Sequence, residues 1–329
     1  MDGIILDVIY NVALLFIMMV PGILLKKCGL STDGIGKGLS NLVLYIAQPA
    51  LIFLAYLRDY DANIMRGSIV VLALSVVAHV IFAAVAIPIF KNAPNGKDRM
   101  LKFATIFSNA AFMGIPLIAA VLEDSFPGAT LYASIYNITF NLFLWSLGVY
   151  ICTSEKDSNN NSVDDHIDAK RNGAGIVKAL IHPVTIAAFI GLIFFILPIN
   201  SYVPELVVES LSMLKGLVAP LSMVVLGLRL ADMDFRGVLK DKYMYIFLGL
   251  RHLLLPLLVV GVIKLLGLIG LTVDDTVATV VVIMAAAPAA TSATMFAEKY
   301  DCDAGYVSRL VAISTLLCIG TIPLVLMFI

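Results

Sequence analysis

The sequence predicts an all-α integral membrane protein with ten transmembrane helices, arranged as two inverted five-helix repeats with proline-broken helices 4 and 9. Three observations carry this expectation. Apolar residues come in blocks of about twenty, proline-bearing blocks recur at one offset, and basic residues crowd the loops of one face. Of 329 residues, 60% are hydrophobic and 14% charged, against about 45–50% and about 25% in soluble domains. About twenty apolar residues, rising about 1.5 Å each, cross roughly 30 Å of hydrocarbon. Backbone polar groups must pair internally in lipid, and these run lengths suit helices rather than barrel strands.

In chain order the spans fall at about 4–25, 36–57, 67–90, 101–122, 129–152, 176–198, 204–230, 243–268, 276–297 and 306–328. The N-terminus reads MDGIILDV and lacks the basic n-region of a signal peptide, and no small-residue cleavage site follows, so span 1 is expected to be permanent. Most of the 22 basic residues, Lys26, Lys91, Arg99, Lys170, Arg229, Arg236 and Lys299 among them, fall on the loops of one side, with only Arg58 and Arg66 on the other. The first side is therefore expected to be cytoplasmic and both termini outside, in a multi-pass protein of the cell (inner or plasma) membrane. Residues 153–175 are polar and Asn/Asp-rich and predict a cytoplasmic linker between residues 1–152 and 176–329, one repeat each.

The halves read as a repeat. Pro220 in span 7 follows Pro49 in span 2 by 171 residues, and Pro288 in span 9 follows Pro116 in span 4 by 172. Five spans is an odd number, so the second half enters the membrane from the opposite face, an arrangement common in secondary transporters.

Spans 4 and 9 carry the candidate chemistry. Pro116 removes a donor and collides with the carbonyl of Phe112, Gly114 beside it permits unusual backbone angles, and Pro288 does the same to the carbonyl of Met284. Ser108 and Asn109 precede the first break, and Thr291, Ser292 and Thr294 follow the second. A half-helix N-terminus exposed there carries partial positive charge and suits an anion. The alternative is two packing kinks satisfied by neighbouring helices. Asn137 and Asn141 in span 5, four apart, share a helical face and either line the site or bond between helices. Gln48, just before Pro49, either reaches a substrate or bonds a carbonyl loosened by that proline.

The ionisable residues deep in spans are His79, Lys215, Arg251 and His252. Their sign favours an anionic substrate. Lys215 could instead snorkel to an interface, and His79 could be a packed neutral histidine.

Other classes are disfavoured. A net charge of −1 offers no basic field for nucleic acid. Cys28, Cys152, Cys302 and Cys318 are far apart in sequence and form no zinc or disulfide pattern. Four histidines without HExxH, and no visible nucleophile–base pair, argue against an enzyme, and nothing suggests a cofactor.

Six stretches, SNLVLYIAQPALIF, SNAAFMGIPLIAAVL, YNITFNLFLWSLGVY, APLSMVVLGLRLA, AAAPAATSATMFAEKY and RLVAISTLLCIGTIPL, resemble the auxin efflux carrier family of bacterial permeases, relatives of the plant PIN auxin exporters within the bile acid/auxin transporter superfamily. The resemblance covers most of the chain in order and spacing. It implies broken helices 4 and 9 crossing at mid-membrane, as in the sodium/proton antiporter and bile-acid symporter architecture. It also implies a scaffold of spans 1, 2, 6 and 7, a moving transport domain of spans 3–5 and 8–10, an elevator-type mechanism and a homodimer. Plant members carry the anionic auxin, and bacterial members are often called malate permeases. Asn109 and Pro116 match the family's span 4 motif, and Pro288 matches its crossover proline. Ser292 stands where many relatives have Asn.

The expected function is therefore a secondary carrier for a small carboxylate, auxin-like or malate-like. The anion would sit near Asn109, Pro116, Asn137, Asn141, Gln48, Pro288, Thr291 and Ser292. A sodium- or proton-coupled symporter or antiporter is the alternative, with His79, Arg251 or Lys215 as charge or proton couplers.

Overall fold

A computed structural model describes residues 2–32, 34–94, 97–123, 126, 128–153, 181–197, 199–231 and 241–329, the first seven as a helical backbone path only. The expected linker 153–175 lies outside the described residues except for Thr153. The helices are α1 Ile9–Lys27, α2 Ile35–Tyr56, α3 Ala62–Ile89, α4 Lys97–Ile106, α5 Ala110–Val121, α6 Ala129–Thr153, α7 Pro183–Ile196, α8 Glu205–Ala231, α9 Lys242–Leu268, α10 Asp275–Ala286, α11 Ser292–Lys299 and α12 Ala304–Leu326. Seven of them, α1, α2, α3, α6, α8, α9 and α12, are long and apolar enough to cross a membrane, while α5, α7 and α10 are shorter apolar helices. The all-α membrane class holds among the described residues.

Short-range chemistry sets several helix starts. Asp61, Asp241, Asp274 and Asp303 each place a carboxylate oxygen on backbone amides of the following first turn, at α3, α9, α10 and α12. This is N-capping, and the acid favours the positive end of the helix. Proline is handled differently inside the spans. Five-residue π turns at Val43–Ala47, Ala110–Gly114 and Leu250–Leu254 end two residues before Pro49, Pro116 and Pro256. A wider turn absorbs the missing donor and keeps the ring off the carbonyl four residues back.

The break in span 4 therefore does not fall at Pro116, as the sequence suggested. The chain leaves the helix at 107–109, and Pro116 sits in the continuous helix α5. Gly114 has ordinary helical angles, φ −59° and ψ −58°. Its lack of a side chain serves packing instead, because a Cβ there would come within 2.6 Å of Met284 Sδ. Pro288 does mark a break: Ala287 before it is extended, with φ −55° and ψ 148°.

The C-terminal half of α2 packs on α7 and on the first half of α8, and the second half of α8 packs on α1. The latter contact depends on Gly22 and Gly227, where a Cβ would run into the backbone of Val224 and Met19 respectively. In a second set of contacts α6 packs on α3 and α10, α9 on α10, and α12 on α10 and α11. Every residue from Val277 to Thr291 is buried, as is every residue from Phe103 to Ala110. A helix apolar all round belongs in the interior, so the two interrupted elements form the centre of the molecule.

Candidate functional site: the crossover of two interrupted helices

The two interruptions meet. Residues 107–109 and 288–290 run antiparallel with a single bridge between Ser108 and Ala289. The Asn109 amide donates to the Pro288 carbonyl at 2.7 Å, and the Ala290 amide donates to the Phe107 carbonyl at 2.9 Å. The Ala289 amide is taken by Ser314 Oγ of α12 at 2.8 Å. The amides of Asn109, Ala289 and Ala290, released by the interruptions, thus find partners within the protein, as membrane depth requires.

The carbonyls at the ends of α4 and α10 converge on Arg251 of α9. Its Nε and Nη2 donate to Ala287 O at 3.2 and 2.6 Å, Nη2 also to Ala285 O at 2.9 Å, and Nη1 to Thr105 O at 3.2 Å. The side chain is fully buried, with the Phe82 ring 5.4 Å from the guanidinium carbon. His252 supports the same region: its Nε2 lies 2.8 Å from Ser314 Oγ and its Nδ1 2.9 Å from Thr321 Oγ1. The Thr321 hydroxyl donates to the Leu317 carbonyl at 3.2 Å, which leaves its oxygen to accept from His252 Nδ1 and leaves Nε2 of the neutral imidazole to accept from Ser314.

The opposite ends, the starts of α5 and α11, present unused polar atoms. Asn109 is buried and its Nδ2 has no partner among the described residues; the same holds for Ser292 Oγ, the first residue of α11. Asn137 is buried on α6, which packs on α10 and on the Ala110–Gly114 turn, and its Oδ1 is also without a partner. Asn141 is buried one turn further on. Buried polar atoms are normally paired, so a group of orphans around two helix starts calls for an explanation.

Two side chains reach the crossover from α2 and α8. Gln48 Nε2 donates to the Ala111 carbonyl, leaving Oε1 unpartnered. It does bond a carbonyl, but one of α5 rather than one freed by Pro49 in its own helix. Arg229 Nη1 donates to the Thr291 carbonyl at 2.9 Å. Sequence reasoning had placed Arg229 with the loop cations, and missed it; a basic residue within the apolar run LGLRLA was the available signal. Ser314 was also missed and carries no distinguishing signal in sequence.

Two predicted residues stand apart. Lys215 is exposed at the end of Glu205–Lys215, the first part of α8. His79 is buried, with Nδ1 2.7 Å from Ser75 O and its ring stacked on Phe143 at 5.0 Å, Tyr136 lying 5.4 Å away. A cleft of about 630 Å³ lined by Asn63, Arg66, Tyr132, Asp274 and Thr276 opens at the start of α10, the opposite end of that helix from the crossover.

Ion pairs tie the loops. Arg58 after α2 meets Glu123 after α5 at 2.7 Å, and Lys97 meets Asp241 at 2.9 Å. Burial alone would raise the Glu123 carboxyl, but hydrogen bonds from Thr130 and Arg58 outweigh it and hold the pKa below the usual value. Burial is likewise outweighed at Asp241, where bonds from Lys97 and the Tyr243 amide hold the pKa down. Among the described residues no group of three His, Cys, Asp or Glu side chains could hold a metal.

An all-helical, multi-pass membrane protein whose two interrupted helices meet at a polar centre has the frame of a membrane transporter. The comparisons agree: the model of the membrane transport protein family Mem_trans matches residues 7–326, and the chain belongs to that family, the auxin efflux carriers. It is similar to an uncharacterized transporter of Methanothermobacter thermautotrophicus, 24% identical over 310 residues that cover 94% of each chain. An uncharacterized transporter of Methanocaldococcus jannaschii is 21% identical over 310 residues, 92% of this chain and 93% of that one. The lysosomal cholesterol signaling protein of Mus musculus is 22% identical over 307 residues, 91% of this chain but 35% of that protein.

Proposed function

We propose that the protein is a secondary carrier that moves a small organic anion, a carboxylate, across the cell membrane. The observation that carries this reading is the one-sided chemistry of the crossover. The negative C-terminal ends of α4 and α10 are covered by Arg251, while the positive starts of α5 and α11 hold buried, unpartnered Asn109 Nδ2 and Ser292 Oγ. Donors and helix starts together suit a carboxylate. Asn137, Asn141 and Thr291 line the same region, and Pro116 and Pro288 shape it.

In this reading the chain crosses the membrane ten times, with α4 and α5 forming span 4, and α10 and α11 forming span 9. Both termini lie outside. Spans 1, 2, 6 and 7 form a scaffold, and spans 3–5 and 8–10 move as an elevator within a homodimer. The packing of α1 on α8 and of α2 on α7 supports that division. Gln48 and Arg229 are then contacts from scaffold to transport domain, remade in each cycle.

The test is uptake of radiolabelled mono- and dicarboxylates into proteoliposomes, after a thermal-shift screen that includes indoles and amino acids. Saturable uptake of a carboxylate that competes with its analogues supports the reading. Uptake only of a cationic or neutral solute would replace it.

A further inference from the structure

The cleft at the start of α10 lies at the end of that helix remote from the crossover, where α3 and α6 also begin. Its volume of about 630 Å³ falls within the range of ligand clefts, about 300–1,000 Å³. Several of its polar groups are unused. Tyr132 is only 5% exposed, and its hydroxyl makes no hydrogen bond with the described residues. Gly67 admits that hydroxyl to the wall of α3, since a Cβ there would collide with it. Arg66 is exposed and forms no ion pair with the described residues, not even with Asp274, which lines the same cleft from the start of α10. One Asp274 oxygen caps α10 on the amides of Thr276 and Val277, and the other is uncommitted among the described residues. Arg66 also heads an apolar stripe. Ile69, Leu72, Val76 and Val80 follow it at three- and four-residue spacing on one face of α3, and all are exposed. From Ile69 to Val80 the stripe runs about 16 Å, close to half of the roughly 30 Å hydrocarbon core, the depth of one leaflet. A cation above an apolar track one leaflet deep has the outline of a phospholipid. The surrounding charge narrows the headgroup. Asp274 and Asp61 both act on Tyr132 electrostatically, while Arg58, also near, is paired with Glu123. Two carboxylates beside one unpaired guanidinium disfavour a headgroup of net negative charge and suit one that carries an ammonium beyond its phosphate.

We propose that this cleft binds one membrane phospholipid with an amine headgroup, of the phosphoethanolamine kind. Arg66 and the Asn63 side chain hold the phosphate, to whose oxygens a guanidinium forks well. Asp274 and the Tyr132 hydroxyl hold the ammonium, and an acyl chain lies along Ile69, Leu72, Val76 and Val80. The lipid ties together the starts of α3, α6 and α10. The site is separate from the crossover, and it rests on the membrane class of the protein rather than on the carrier reading.

The experiment is thermal unfolding of the delipidated protein in mixed micelles containing phosphatidylethanolamine or phosphatidylglycerol at equal mole fraction, and in lipid-free micelles with soluble phosphoethanolamine. Phosphatidylethanolamine should raise the wild-type melting temperature by about 2–5 °C, and phosphatidylglycerol by clearly less. Arg66→Gln should lose most of the rise. Asp274→Asn keeps a side chain able to cap α10 but no charge for the ammonium, so it should respond to the two lipids alike. Arg66 is exposed and asparagine is a good N-cap, so both variants should fold. Absence of a rise in the wild type would overturn the proposal. A rise that survives Arg66→Gln would do the same, leaving Arg66 a cation that only reaches for water. If phosphatidylglycerol stabilises the wild type as much as phosphatidylethanolamine, the amine headgroup is wrong. If soluble phosphoethanolamine gives the full rise, the lipid is wrong and the cleft takes a free zwitterion.

Discussion

The backbone amide of Asn109 donates to the carbonyl of Pro288 at 2.7 Å, joining the two halves of the chain at their centre while the Asn109 side-chain amide stays unused. Join and candidate ligand are thus separate groups of one residue, and mutation can separate them.

Asn109→Ala should leave the crossover intact and the melting temperature close to wild type. Carboxylate uptake should fall by about 10–100-fold, the worth of one hydrogen bond to a charged group at about 1.5–3 kcal/mol. Unchanged uptake would remove Asn109 from the site.

Arg229 holds the Thr291 carbonyl from α8. If the proposed elevator holds, Arg229→Ala should slow transport more than it weakens substrate binding, because the lost contact would join scaffold to transport domain. Single-turnover uptake together with a binding isotherm separates the two effects. Arg229→Lys should recover part of the rate, and a purely structural role would instead appear as a drop in melting temperature with the rate unaltered in the folded fraction.

The Arg58–Glu123 pair gives a pH dependence. The Glu123 pKa is depressed in the folded state, so its contribution is present above the unfolded carboxylate pKa and is lost as pH falls through the lower folded value. Both side chains are partly exposed, at 24% and 18%, which limits the effect to about 1 kcal/mol. Glu123→Gln should therefore be less stable than wild type at neutral pH and nearly equal to it in acid, as read by melting curves across the carboxylate range. A constant difference at every pH would assign the effect to packing.

Gly227→Ala should be severe. The added methyl meets the Met19 carbonyl, which is backbone and cannot swing aside. Overpacking of this kind costs about 1–3 kcal/mol or more, and Gly22→Ala, against Val224, should behave alike. The melting temperature is the measurement. Gly261→Ala, where a methyl would find open space, is the control and should be neutral.

Much of this architecture was legible in the sequence because membrane spans announce themselves by length and composition. The interruptions were legible only in part. Pro116 drew attention to span 4, but the π turn Ala110–Gly114 absorbs that proline and the helix parts at Ser108 and Asn109 instead. A π turn leaves no mark in hydropathy, and a backbone bridge between residues this far apart in sequence leaves none at all. Arg251 was conspicuous as a charge in a span, yet its sign suggested an anion partner. Only the folded chain shows its donors turned onto carbonyls. Cys152 and Cys302 are likewise remote in sequence, but their thiols face each other in the fold.

The bridge of 107–109 with 288–290 is made of main-chain atoms, so it is indifferent to which side chains occupy those positions and intolerant of any change in their number. Inserting or deleting a single residue between Ile106 and Ala110, or between Ala286 and Ser292, would shift the pairing by one step and turn each side chain beyond it to the wrong face. Relatives of this chain should therefore keep the lengths of these two short stretches fixed even where side chains other than Asn109 and Pro288 differ, and gaps in an alignment should fall everywhere else first.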